Sequence, residues 1–129
     1  HPRSIEPELL RERIRDGFDR TSLNVLREMA IWAAEGRFCS GDRQIDPNTR
    51  LAQLRVPLLC IAGDKDSAVP LGSIEPGFRR VGSPDKTLRT FGRATDGTHF
   101  GHCDLICGKA APALVWPFVA DWLDDHSEC

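Results

Sequence analysis

Apolar residues near the start of the chain recur at the spacing of an α-helix. Leu10, Ile14 and Phe18 are four residues apart and follow Pro7, a residue that suits the first turn of a helix. One apolar stripe of this kind predicts an amphipathic helix. The polar residues 19–21 then interrupt the pattern and end the predicted helix.

A second helical stripe follows, made of Leu23, Leu26, Ala30 and Ala33. Thr21 or Ser22 can cap the start of this helix through a side-chain oxygen. Gly36 lies where a helix commonly ends in a left-handed glycine. The pattern therefore predicts two helices within residues 1–36.

The middle of the chain changes to continuous apolar runs. Val56–Ala62 has β-branched members and few polar ones, which predicts a strand covered on both faces, as in a parallel sheet. Lys86–Phe91 predicts a second strand, and residues 73–81 predict a helix interrupted by proline and glycine. A strand, a crossover helix and a second strand in this order indicate a parallel α/β fold.

Shorter elements are predicted on either side of these strands. Residues 37–39 indicate a short extended piece, and residues 51–54 indicate one helical turn capped by Asn48 or Thr49. Residues 110–125 predict a helix with two adjacent apolar rows. Two strands bury too little surface to stand alone, so we expect this chain to be the end of a larger sheet.

Composition narrows the class of protein. The chain has 129 residues, of which 40% are apolar, enough for one packed domain. A net charge of −2 offers no electrostatic attraction for nucleic acid or an anionic membrane. The chain contains no apolar run of transmembrane length and no signal peptide at its start, and it begins at His1 rather than methionine. We interpret it as a fragment of a longer polypeptide.

The cysteines indicate the compartment. Five cysteines form an odd number without the spacing of a disulfide framework. Cys60 lies within the first predicted strand, where a free thiol behaves as a small apolar residue. We therefore expect a reduced protein in the cytoplasm.

Two loops carry residues suited to acid–base chemistry. Asp66 follows the first predicted strand and a glycine turn, and His102 lies in a glycine-bounded loop before an apolar segment. Histidine can accept a hydroxyl proton near neutral pH, and a carboxylate on its second nitrogen fixes the tautomer. We interpret Asp66 as the acid and His102 as the base of a nucleophilic triad.

Each of these residues has a close competitor. Asp64 lies in the same turn as Asp66, and we interpret it as a turn former or a support for the acid. His99 lies three residues before His102 and is the alternative base. Asp104 is predicted to brace the histidine loop rather than react.

Residues 54–70 (LRVPLLCIAGDKDSAVP) and 101–111 (GHCDLICGKAA) together resemble an established family. They are similar to the acid loop and the histidine loop of the α/β-hydrolase fold, in its lipase-like branch. In that family the triad occurs in the chain order nucleophile, acid, histidine, an order that Asp66 and His102 match. The resemblance implies that residues 51–129 are the C-terminal part of the hydrolase core and residues 1–50 a helical cap or lid.

No serine has the surroundings of a hydrolase nucleophile. The Gly-x-Ser-x-Gly turn is absent; Ser40 precedes Gly41 but has Phe38 two positions before it. The nucleophile and the oxyanion hole are therefore expected on upstream polypeptide or a partner chain. The resemblance implies a serine hydrolase that cleaves carboxylic esters, including lipid-like ones, without a cofactor. On its own, this chain should not turn over substrate.

Two other hypotheses remain open from the sequence. The chain can be a non-catalytic, α/β-hydrolase-like interaction fragment that keeps the end of the fold without its reaction. A less favoured hypothesis is a zinc-binding loop, because four residues in one short segment are of zinc-ligand type: His99, His102, Cys103 and Cys107. Their spacing matches no common zinc motif.

Overall fold

A computed structural model describes residues 4–16, 20–36 and 38–127 of the chain. Helices and two parallel strands make up its regular structure, so the predicted mixture of helix and parallel strand is confirmed. In chain order the elements are α1 Pro7–Asp16, α2 Leu23–Glu35, α3 Pro47–Leu51, β1 Leu58–Gly63, α4 Leu71–Arg80, β2 Lys86–Phe91, α5 Arg93–Asp96, α6 Asp104–Cys107, α7 Ala111–Leu114 and α8 Trp116–Asp125.

Both N-terminal helices form where the apolar pattern predicts them. The Ser22 side chain caps α2 by accepting a hydrogen bond from the backbone N–H of Val25 at 3.3 Å. Gly36 ends α2 in the left-handed conformation, with φ of 60°, which glycine adopts without the steric cost of a Cβ. Phe18, the last residue of the predicted first stripe, lies outside the described residues.

Two predictions between α2 and β1 need correction. The helix predicted at residues 51–54 is misplaced, because α3 begins at Pro47 and ends at Leu51, and residues 51–54 form only a turn in which the N–H of Leu54 donates to the carbonyl of Leu51 at 3.2 Å. Helix α3 starts earlier because the Asp46 carboxylate caps it, accepting a hydrogen bond from the N–H of Asn48 at 2.9 Å. Pro47 also suits the first turn, because its φ angle is already close to the helical value. The predicted extended piece at 37–39 forms no strand in its described residues, and Arg37 lies outside them.

The two strands pair in parallel, with Leu58 opposite Lys86 and Gly63 opposite Phe91. The strand prediction for Lys86–Phe91 is confirmed residue by residue, and β1 begins two residues later than the predicted Val56. Helix α4 makes the crossover between the strands and packs against β1. The carboxyl ends of both strands therefore meet at one edge of the sheet.

The C-terminal helix is divided in two. Predicted as one segment over residues 110–125, it separates into α7 and α8 at Val115. Pro117 has no backbone N–H, and it lies in the first turn of α8, where that donor would have no helical partner. Among the described residues, no helix is both long and apolar enough to cross a membrane.

The buried core connects β2 to the histidine loop. Phe91 at the end of β2 and Phe100 in the loop are each 1% exposed, and their ring centroids lie 5.7 Å apart. Leu105, Ala111 and Val115 complete the buried cluster. Burying a phenylalanine side chain of this kind contributes about 1.5–3 kcal/mol. Packing of Phe100 thus fixes the loop two residues before His102.

Candidate active site

Asp66 is held in the turn that follows β1. Its side chain is only 4% exposed, and its Oδ1 accepts hydrogen bonds from the N–H groups of Ala68 at 2.9 Å and Val69 at 2.8 Å. These bonds orient the carboxylate so that Oδ2 faces His102 Nδ1 at 2.9 Å. The two residues that the sequence predicts as acid and base are therefore in direct contact, although 36 positions separate them.

The segment before His102 is fastened to the end of β1 through Phe100. Its N–H donates to Asp64 Oδ1 at 3.0 Å, and its carbonyl accepts from the N–H of Lys65 at 2.9 Å. Gly63 permits this close approach, because a Cβ there would collide with the carbonyl group of Phe100. The position of the histidine loop relative to the turn after β1 thus depends on backbone contacts as well as on the Asp66–His102 hydrogen bond.

Asp104 braces the other side of the histidine loop, as the sequence predicts. Its carboxylate is buried, and its Oδ2 accepts from the N–H of Gly101 at 2.7 Å. Its Oδ1 accepts from the Ser4 hydroxyl at 2.5 Å, which connects the loop to the residues preceding α1. Sequence patterns gave no indication of the part played by Ser4, because that contact spans 100 positions.

The arrangement assigns the tautomer of His102. Because Asp66 is a carboxylate, the hydrogen bond requires a proton on Nδ1 of His102. The opposite nitrogen, Nε2, then carries the lone pair, and no described residue forms a hydrogen bond with it. With its side chain 56% exposed, His102 offers an oriented proton acceptor to a molecule in the adjoining cleft.

That cleft has a volume of about 350 Å³ and mostly apolar walls. Asp66 and His102 line it together with five apolar side chains, Ile61, Val69, Ile74, Leu105 and Ile106. Cys103 and Cys107 also reach it, and Cys107 Sγ lies 3.2 Å from the carbonyl oxygen of Cys103. No serine lines the cleft in the part of the chain that the structure describes.

A second aspartate–histidine pair lies beside the first. Asp64 Oδ2 is 2.5 Å from His99 Nδ1, and the same carboxylate accepts from the N–H groups of Phe100 and Arg93. Asp64 therefore supports the loops, in agreement with its predicted role. His99 is not among the residues that line the cleft, whereas His102 is.

Hydrogen bonds keep three carboxylates of this region ionised. Burial raises the pKa of Asp66, but donation from Val69 and His102 outweighs it, so the pKa lies below its ordinary value. The pKa values of Asp64 and Asp104 are lowered in the same way, against burial, by donors that include the N–H groups of Phe100 and Gly101 respectively.

These lowered pKa values predict that the fold weakens in acid. In the unfolded chain an aspartate has a pKa of about 3.9, which is higher than its pKa in the folded protein. The stabilisation that these ionised carboxylates give to the folded state is therefore complete above that pH. It is lost as the pH falls through the lowered pKa values of the folded protein. We expect the urea concentration at the unfolding midpoint to decrease when the pH is lowered below about 4. The decrease should be smaller in Asp104→Asn than in the exposed control Asp121→Asn. Equal acid dependence in the two variants would contradict this prediction.

The zinc hypothesis gains no support from the geometry. His99 and His102 face two different carboxylates, Asp64 and Asp66. Within residues 4–16, 20–36 and 38–127, no three side chains of histidine, cysteine, aspartate or glutamate are grouped to hold a metal ion.

Comparisons of this chain with protein-family models, with curated proteins and with solved structures found no match. The features of this chain that bear on function are the two sequence motifs and the geometry of the Asp66–His102 pair.

Proposed function

We propose that this chain supplies the acid and the base of a serine hydrolase with the α/β-hydrolase fold. In this proposal residues 51–129 are the C-terminal part of its core, and residues 1–50 belong to its cap. The nucleophile and oxyanion hole are carried by upstream polypeptide or a partner chain. The supporting observation is the 2.9 Å contact between Asp66 and His102 after the end of β1, beside an apolar cleft.

The chemistry follows from the proton on His102 Nδ1. Nε2 accepts the proton of a serine hydroxyl as its oxygen attacks the ester carbonyl, and the resulting imidazolium is stabilised by the Asp66 carboxylate. The same Nε2–H then protonates the departing alkoxide, so the alcohol leaves and an acyl-enzyme remains. Nε2 then takes a proton from water as the water oxygen attacks the acyl carbonyl, and Nε2–H gives that proton to the departing serine oxygen, so the carboxylic acid leaves and His102 and the serine are regenerated.

Carboxylic esters are the substrate class that best suits this site. The cleft is lined chiefly by aliphatic side chains such as Val69, Ile74 and Leu105, which favour an apolar acyl or alkyl group. Asp66 and His102 lie where the reacting carbonyl would be, and Arg13 is the other charged residue of the lining. This distribution is consistent with lipid-like esters.

A fluorophosphonate probe tests the division of the active site. We expect the probe to leave this chain unlabelled, because no described serine lines the cleft beside His102. It should label the polypeptide that completes the hydrolase, and His102→Ala in the complex should suppress that labelling. The control His99→Ala should preserve it. Labelling of any serine of the present chain would overturn the proposed division.

A further inference from the structure

The cleft beside His102 adjoins a second one. The second cleft has a volume of about 530 Å³, and its apolar walls come from Leu9, Ile106, Pro112 and Trp116. Arg13, Ile106 and Cys107 line both clefts and form a seam between them. Backbone contact from Lys109 N–H to the Ser4 carbonyl, at 2.8 Å, joins the α6–α7 connection to the residues that lead into α1. The two clefts are therefore adjacent parts of one surface between these elements.

The apolar walls of this surface are unusually exposed for their residue types. Ile106 is 63% exposed at the seam, and Trp116 is 53% exposed in the second cleft. The indole Nε1–H of Trp116 donates to the carbonyl of Ile106 at 3.0 Å, which holds the two walls together. An apolar chain lying along this surface would remove both side chains from water.

The guanidinium of Arg13 lies at the seam and has no ion-pair partner among the described residues. Its neighbours on α1 are paired, Arg11 with Glu8 at 3.9 Å and Arg15 with Asp16 at 2.7 Å. The other cation of the second cleft, Lys109, lies 3.3 Å from Glu6. By contrast, no residue within 4–16, 20–36 and 38–127 forms an ion pair or hydrogen bond with the Arg13 guanidinium.

We propose that the joined clefts bind an anionic amphiphile, an unbranched aliphatic chain that carries one carboxylate. The aliphatic chain lies against Ile106 and Trp116, and the carboxylate pairs with Arg13, whose planar guanidinium matches it in shape and charge.

Binding of decanoate to the chain tests this proposal without requiring a nucleophile. Isothermal titration calorimetry, below the concentration at which decanoate forms micelles, should show saturable binding, with decanol binding at least about tenfold more weakly. Arg13→Gln should weaken decanoate binding by about tenfold or more and leave decanol unchanged. Arg11→Gln is the matched control on the same helix and should bind decanoate as the unmodified chain does.

Nuclear magnetic resonance locates the bound chain. Decanoate should shift the indole N–H signal of Trp116, identified by its loss in Trp116→Phe, and circular dichroism should show that each variant is folded. The proposal is overturned if decanoate does not bind, if Arg13→Gln binds it as well as Arg11→Gln does, or if decanol binds equally well.

Failure of this inference can be told apart from failure of the proposed function. Ester turnover that depends on His102, without decanoate binding that depends on Arg13, would reject the amphiphile and retain the hydrolase. Binding that depends on Arg13, without turnover that depends on His102, would reject the hydrolase and leave the amphiphile site standing.

Discussion

Replacing His102 with alanine is expected to lower kcat for ester hydrolysis on the order of 10³-fold or more in the complete form of the proposed hydrolase. The variant loses the only ring that both contacts the Asp66 carboxylate and lines the cleft in the described part of the chain. Without Nε2 the serine hydroxyl has no acceptor for its proton, and the departing alkoxide has no donor. Steady-state kinetics with a soluble aryl ester measures the effect.

The matched control is His99→Ala. His99 also contacts a carboxylate, that of Asp64, but it does not line the cleft. We therefore expect kcat to change by less than about threefold, since His99→Ala removes no group that lines the cleft or would contact the reacting atoms. A large loss in His99→Ala with little loss in His102→Ala would exchange the roles of the two histidines.

Replacing Asp66 with asparagine is expected to lower kcat by about 10⁴-fold while leaving the fold intact. An amide oxygen can still accept from the N–H groups of Ala68 and Val69, so the turn is preserved. The amide nitrogen then faces His102 Nδ1 and donates to it, which forces the ring proton onto Nε2. A ring in this tautomer cannot act as a base toward serine.

Kinetics as a function of pH, together with circular dichroism, would check this effect of Asp66→Asn. Asp42→Asn is a suitable control, because Asp42 lies in an exposed turn and its Oδ1 is bonded to Ser40 and Gln44, away from the cleft. The control should retain turnover. Unchanged turnover in Asp66→Asn would instead favour the non-catalytic interaction fragment considered from the sequence.

Much of the secondary structure follows from local chemistry. The cap at Ser22, the glycine at Gly36 and the strand Lys86–Phe91 are all found as predicted, because each depends on neighbouring residues. The start of α3 was misplaced because the Asp46 side chain competes successfully with the predicted caps at Asn48 and Thr49. Several acceptable caps within a few residues leave a helix boundary undecided.

The clefts were much harder to predict. Ile74 on α4 and Ile106 on α6 each belong to an apolar pattern that a buried core would equally explain. Arg13 belongs to a helix in which charged residues alternate, so nothing local distinguishes it from Arg11. Only the placement of α1 beside α6 shows that Arg13 faces two apolar clefts.

The sequence by itself determined the two N-terminal helices, the parallel strands with the helix between them, and the two loops that carry Asp66 and His102. It also contained two aspartates and two histidines at nearly equal separations, and spacing could not choose between the pairs. The tertiary structure decided that the Asp66–His102 pair, and not the Asp64–His99 pair, lines a cleft. That choice depends on the parallel register of β1 and β2, the packing of Phe100 and the bonds to Asp64 and Asp104. These contacts join residues far apart along the chain, so their energies are realised only when the strands and loops have assembled.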